Sequence, residues 1–160
     1  MIFITVGSQK FQFNRLLKQV DMLIDKGIIK KEVFAQIGSS DYKPHNYKYK
    51  DFINHDEFKE YMSLCELVIT HAGTGAIITA LKNNKKVIAI PRLSKYGEHV
   101  DDHQIQLINE FKELNFIEPV YEIDELEKAI NNIRTKTYNK YLSNTDIIIN
   151  DIDKYIKDVK

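Results

Sequence analysis

The stretch from Val68 to Ile90 constrains the fold more than any other part of the chain. Val68-Ile69-Thr70 is an apolar run of strand length, His71-Ala72-Gly73-Thr74-Gly75 is a glycine-rich turn, and Ala76 to Leu81 continues as a helix. Lys86-Val87-Ile88-Ala89-Ile90 is a second strand, closed by Pro91. A strand, a helix and a strand in so short a span pack as a right-handed crossover between parallel strands. The turn also leaves the first N–H groups of its helix unbonded and aims a positive helix end at one point, which suits a phosphate.

The rest of the chain repeats this pattern. Ile2 to Val6 is a buried-type strand ending at Gly7. Phe13, Leu16, Leu17, Val20, Leu23 and Ile24 recur at spacings of three and four, which is one face of a helix with Asn14 as a candidate cap. Glu32 to Ile37 reads as a strand, and Asp41 to Lys50 as a loop, mobile and beside a crevice. A short strand is expected at Asp51-Phe52-Ile53, then a helix capped by Asp56. Further on come a helix over Asp101 to Glu113, a short strand near Phe116 to Pro119, and a helix capped by Asp124. Residues 138–160 form a C-terminal helical segment in this reading. The fold class expected is α/β: a single Rossmann-like domain with a parallel sheet, spanning 1–160.

The charge balance narrows the function. Lys plus Arg and Asp plus Glu both total 23 in 160 residues, so no basic field attracts nucleic acid or anionic lipid. The single cysteine, Cys65, excludes an internal disulfide, fits a reduced cytosolic setting, and reads as a small core residue. The N-terminus carries no basic leader, and no apolar run approaches the roughly 20 residues of a membrane span. A soluble chain is expected, with docking on a membrane protein still open.

Each candidate site has a plain alternative. The turn at His71 to Gly75 is either a phosphate cradle, with Gly73 and Gly75 admitting close backbone approach and φ > 0, or a tight turn without a ligand. It is no dinucleotide fingerprint, because Ile78 occupies the third glycine position, and no Gly-Lys-Ser/Thr follows. His71 either donates to a phosphate oxygen or is a hydrogen-bonded core residue. Gly7-Ser8-Gln9 is a second turn at the same sheet edge. Glu98, His99, Asp101, Asp102, His103 and Gln104 are read as helix caps or, for Asp102 and Gln104, as partners for sugar hydroxyls, rather than as a metal cluster.

Phe52-Ile53 through Gly75, together with Pro91 and Asp102-His103-Gln104, resembles the C-terminal domain of family 28 glycosyltransferases. The opening Phe3-Ile4-Thr5-Val6-Gly7-Ser8 and Phe13-Asn14-Arg15-Leu16 look like the one-domain bacterial capsule and exopolysaccharide members. Catalytic subunits of two-part dolichol-linked GlcNAc transferases are similar too. The resemblance covers the chain to about residue 120.

That resemblance implies a domain equivalent to the C-terminal half of a GT-B enzyme. It implies that His71, Gly73, Thr74 and Gly75 hold the donor diphosphate, with Gly7 and Ser8 facing the same cleft. Phe52 and Ile53 match the uracil-reading segment, and Asp102 and Gln104 the donor-sugar pair. Larger members carry a ribose-binding Glu where this chain has Thr79. The implied activity is an inverting transfer from a UDP-sugar to a lipid-linked sugar acceptor, a hexosyltransferase step in polysaccharide synthesis. No cofactor and no metal are expected. A membrane-anchored partner subunit is implied for the acceptor half, which places the chain at the cytoplasmic face of the membrane. The preferred source of the catalytic base is that partner, with His99 and His103 as candidates within this chain. The apolar positions Ile147 to Ile149, Ile152 and Ile156 either meet the partner or pack back on the sheet. An exposed partner face also allows a homo-oligomer when the chain is isolated. The alternative function is a non-catalytic nucleotide-sugar-binding or scaffold subunit that regulates a transferase.

Overall fold

The structure, a computed structural model, describes residues 1–143. Six strands form one sheet: β1 (Ile2–Thr5), β2 (Val33–Gln36), β3 (Lys48–Lys50), β4 (Leu67–His71), β5 (Lys86–Ile90) and β6 (Glu118–Pro119). All pair in parallel, in the order β3-β2-β1-β4-β5-β6. Four helices connect the strands, α1 (Asn14–Asp25), α2 (His55–Leu64), α3 (Thr74–Lys82) and α4 (Gln104–Glu113), and α5 (Leu126–Thr135) follows β6. The chain leaves the middle of the sheet in both directions, so β1 and β4 flank a switch point whose C-terminal edge is where an open α/β sheet binds ligands.

Both sheet faces are covered, which explains the continuous apolar runs of the central strands. Ile2, Ile4 and Val6 pack with Leu16, Leu17, Val20, Ile130 and Ile133 beneath α1 and α5. Phe3 points to the other face, with Met62, Val68, Ile77, Ala80 and Ile108 beneath α2, α3 and α4. Phe3 and Ile4 have no exposed surface. Burial of each such side chain stabilises the fold by roughly 2 kcal/mol. On that second face Tyr61 stacks on Phe34 with ring centroids 3.7 Å apart. Cys65 is buried there as expected, and burial pushes its thiol up.

Several expected boundaries move, each for a local reason. The third strand is Lys48–Lys50, not Asp51 to Ile53: it lies at the sheet edge, pairs Tyr49 opposite Ala35 through the backbone, and needs no apolar run. The loop before it is tied to α1 rather than placed at the sheet's ligand edge. The buried carboxylate of Asp21 on α1 accepts from Tyr42 Oη at 2.7 Å, His45 N at 3.0 Å and Asn46 N at 2.9 Å. Burial and that carboxylate push the Tyr42 phenol up to about 12.

The caps differ as well. Asn54, not Asp56, caps α2: its Oδ1 accepts from Glu57 N at 2.9 Å while the Glu57 carboxylate accepts from Asn54 N at 3.0 Å. Asn14 does not cap α1, because its side chain is turned toward Asp41 and the N–H of Tyr42. Neither Asp101 nor Asp102 caps α4, which begins only at Gln104. Asp102 Oδ1 instead accepts from Ser94 N at 2.7 Å. Asp124 sits in a 3-10 turn that runs directly into α5, with no side-chain cap on that helix.

Residues 138–143 are not helical. Tyr138 Oη donates to Glu118 Oε2 at 2.6 Å and Tyr141 meets the ring of Phe116 edge-on, so the segment is tied back to the β6 side of the sheet. Ile147 to Ile149, Ile152 and Ile156 lie outside the described residues. No helix among the described residues is long and apolar enough to cross a membrane.

Candidate functional site

A cleft of about 520 Å³ opens at the C-terminal edge of the sheet. One wall is Thr5, Gly7, Ser8 and Gln9, where β1 runs into its turn. The floor holds Gln36 and His71. The other walls are Ile53, Asn54, His55 and Phe58 at the start of α2, and Gly73, Gly75, Ala76 and Thr79 along the first turns of α3. A larger cavity of about 570 Å³ lies between Ile2, Glu66, Lys85 and Ile133. There Lys85 and Lys86 spend their ammonium groups on carbonyls at the ends of α2 and α5, including Cys65 O at 2.8 Å. That is helix-end capping by cations. The switch point favours the first cleft.

The structure therefore brings His71, Gly73, Gly75, Gly7, Ser8 and Ile53 to one place. Thr74 begins α3 directly beside it, with Gly73 as the preceding cap residue. Helix geometry leaves the first N–H groups of α3 free of intrahelical partners at the mouth of the cleft. Phe52 is about half exposed on the turn into α2 and does not line the cleft.

His71 closes β4, and its ring is wedged between the two turns. A Cβ built on Gly7 would lie 2.7 Å from its Cε1, and one on Gly73 would lie 2.2 Å from its Nε2. The two glycines thus make room for the imidazole. Gly7 also adopts φ +78°, in the left-handed region. The expectation of positive φ at Gly73 and Gly75 does not hold. Gly73 has φ −76°, and Gly75 lies within α3 with nothing within 4 Å of its missing Cβ.

His71 Nδ1 lies 3.5 Å from Thr5 O and 3.3 Å from Thr70 Oγ1, whose own hydroxyl donates to Thr5 O at 2.8 Å. Both neighbours accept here, which assigns the proton of the neutral ring to Nδ1 and leaves Nε2 an acceptor. Burial, reinforced by the charge of Arg92, pulls the imidazole down to about 4. Near neutral pH the ring is uncharged. Thr79 Oγ1 donates to Gly75 O at 2.7 Å, so its hydroxyl proton is already committed to its own helix.

The second candidate group sits on the β5–α4 connection. Gln104 is buried, and its Oε1 accepts from Arg92 N at 2.9 Å. Glu98 is buried, and its carboxylate accepts from Arg15 Nε at 2.8 and 3.1 Å and from Leu93 N at 3.0 Å. Together with the Asp102 bond to Ser94, these contacts hold residues 91–104 in place. Asp102 and Gln104 do not line the cleft.

Asp101 Oδ1 lies between two imidazoles. It is 3.2 Å from His99 Nδ1, bonds His103 Nδ1 closely, and accepts from His103 N at 3.1 Å. The ring of His99 packs on Phe11. The three side chains offer donor atoms within 4.8 Å of one another, the one such group of three among the described residues. Bonds to Asp101 account for their geometry.

Sequence reasoning missed Arg92. It has no exposed surface, donates from Nη2 to Val6 O at 2.6 Å, and lies over the ring of Phe13. A cation immediately after Pro91, at the exit of an apolar strand on the ligand edge, was the available signal.

The family description "Glycosyltransferase family 28 C-terminal domain" matches residues 1–158. Over 91 residues the chain is 33% identical to the UDP-N-acetylglucosamine transferase subunit ALG13 of Candida albicans, which covers 57% of this chain and 29% of that protein. The chain thus matches under a third of that relative's length. Among solved structures, the glycotransferase of kitacinnamycin superposes with TM-score 0.62 at 14% identity, covering 84% of this chain and 35% of that one. MurG of Acinetobacter baumannii superposes with TM-score 0.53 at 15% identity, covering 82% and 40%. At such identity these two speak for the fold alone, an α/β domain of the glycosyltransferase GT-B kind. With the family match over nearly its whole length, the chain belongs to glycosyltransferase family 28, as a C-terminal-type domain.

Proposed function

We propose that this chain is the donor-binding subunit of an inverting, UDP-sugar-dependent glycosyltransferase that acts on a lipid-linked acceptor in polysaccharide synthesis, such as capsule or exopolysaccharide. The observation that carries the reading is the cleft at the sheet's switch point, with the first turn of α3 at its mouth and His71 between two glycine turns. The family membership and the printed description of the Candida albicans relative as a transferase subunit support it.

In this reading the N–H groups of Thr74, Gly75 and Ala76 receive the donor diphosphate, and the turn at Gly7 and Ser8 closes over it. As an acceptor hydroxyl attacks the anomeric carbon from the opposite face, charge grows on the departing diphosphate. Preorganised N–H groups and the helix end stabilise that charge without reorganising. Backbone groups around Phe52 and Ile53 read the uracil edge. Asp102 and Gln104 meet the sugar, provided that the 91–104 connection adjusts when the acceptor half docks. A membrane-anchored partner supplies that half and the base, and keeps this chain at the cytoplasmic face.

A regulatory, non-catalytic reading is favoured by one detail, the commitment of Thr79 to Gly75 O where larger members place a ribose-binding Glu. Transfer of radiolabelled sugar from a UDP-sugar to a polyprenyl-diphosphate-linked acceptor, with and without the partner, decides between them. Transfer that needs both chains and is lost on changing the cleft supports the donor-subunit reading. Transfer by the partner alone, at the same rate, supports regulation.

A further inference from the structure

The walls of the 520 Å³ cleft contain no Lys, Arg, Asp or Glu side chain. Its histidine floor residue is neutral near pH 7, as derived above. A ligand carrying two or three negative charges would meet backbone dipoles and polar side chains such as Ser8, Gln9, Asn54 and His55, but no Lys or Arg at the surface. One full positive charge lies just behind it.

Arg92 is that charge. Its Nε and Nη1 are buried without a hydrogen-bond partner, and only Nη2 is satisfied, by Val6 O at 2.6 Å. Glu98 favours the Arg92 charge through space but makes no hydrogen bond or salt bridge with it, because that carboxylate is bonded to Arg15 and Leu93 N. Among the described residues Arg92 forms no ion pair. A buried cation with unmade hydrogen bonds is costly, and such a group in a native fold calls for a reason. The bond to Val6 O places it under the Val6–Gly7 turn, the turn against which His71 is wedged. Low local dielectric lets its field reach further than a surface charge would.

We infer that Arg92 is the buried counter-charge of the cleft for a diphosphate-bearing ligand, a positioning residue that acts through the Val6–Gly7 turn and His71 rather than by contact. This rests on reading the cleft as a diphosphate site. It assigns the selectivity for charge to Arg92 and the selectivity for the base to other residues.

The test titrates inorganic pyrophosphate, UDP and uridine calorimetrically into the full chain as wild type, Arg92→Gln and Arg92→Lys. Arg92→Gln is expected to weaken pyrophosphate and UDP at least tenfold and to leave uridine within twofold. Arg92→Lys, which keeps the charge, is expected to hold both anions within threefold of wild type, and it decides the matter alone if Arg92→Gln does not fold. A merely structural role would weaken uridine in parallel with UDP, and that result overturns the inference. Wild-type pyrophosphate affinity in Arg92→Gln, or a tenfold loss in a folded Arg92→Lys, also overturns it while leaving the donor reading intact. Failure of the wild type to bind either pyrophosphate or UDP overturns both.

Discussion

The imidazole of His71 fills the space that a side chain on Gly73 would take: a Cβ there would stand 2.2 Å from His71 Nε2. The glycine turn and the histidine are therefore packed as one unit. Gly73→Ala must push the ring or the turn aside. Overpacking of this kind costs about 1–3 kcal/mol. Gly75→Ala, with open space at its Cβ and a helical backbone, is expected to unfold at or above the wild-type temperature. Thermal unfolding of the two variants side by side checks the contrast, and equal melting temperatures would contradict the wedge.

His71 also gives the fold a pH dependence of known sign. Its ring takes up a proton near the ordinary 6.5 when unfolded, but only near 4 when folded. The unfolded state thus binds more protons between those values, and stability falls as pH drops through that window. The contribution is complete above about pH 6.5 and fully lost below about 4, and its size is about 3 kcal/mol. Urea unfolding at several pH values should show a shallower slope between pH 6.5 and 4 in His71→Asn than in wild type. The same slope in both would mean that the ring is not buried as described.

Asp21 is expected to matter more than its place on a helix suggests. Its carboxylate accepts from the phenol of Tyr42 and from the N–H groups of His45 and Asn46. Asp21→Ala leaves those donors without their partner, at a cost of about 2–3 kcal/mol. Hydrogen exchange should quicken at His45 and Asn46 in that variant, with little change in the cleft.

Glu98 belongs to a different network. It is almost wholly buried against Arg15, whose Nε lies 2.8 Å away. Removing one member of a buried ion pair costs about 3–5 kcal/mol. Glu98→Ala should lower the denaturant midpoint accordingly, and a loss below about 1 kcal/mol would show the pair to be solvated.

The sequence made the parallel sheet legible because its central strands are buried on both faces and so read as unbroken apolar runs. The runs at Ile2 to Val6 and Lys86 to Ile90 coincide with β1 and β5 almost residue for residue. The edge strand Lys48–Lys50 was not legible, since an exposed Lys-Tyr-Lys triplet carries no apolar signal and its pairing is purely backbone. Caps were misplaced where an Asp competed with a better-placed Asn, as at Asn54, or where the carboxylate turned to a distant loop, as Asp102 does toward Ser94. At the site, the glycines and His71 were recognised singly, but not the packing of one against the other. Spacing says that backbone can come close at Gly73, and only the fold says that His71 is what comes close. For Arg92 the sequence offers only its place after Pro91, because burial of a charge is a tertiary fact.

The central claim is that the cleft beside His71 is a uridine-diphosphate site. Calorimetric titration of UDP into the purified chain, with ADP as the control, tests it most directly. The account predicts binding of UDP at least tenfold tighter than ADP. Equal affinity for the two nucleotides, or binding of neither, would contradict it.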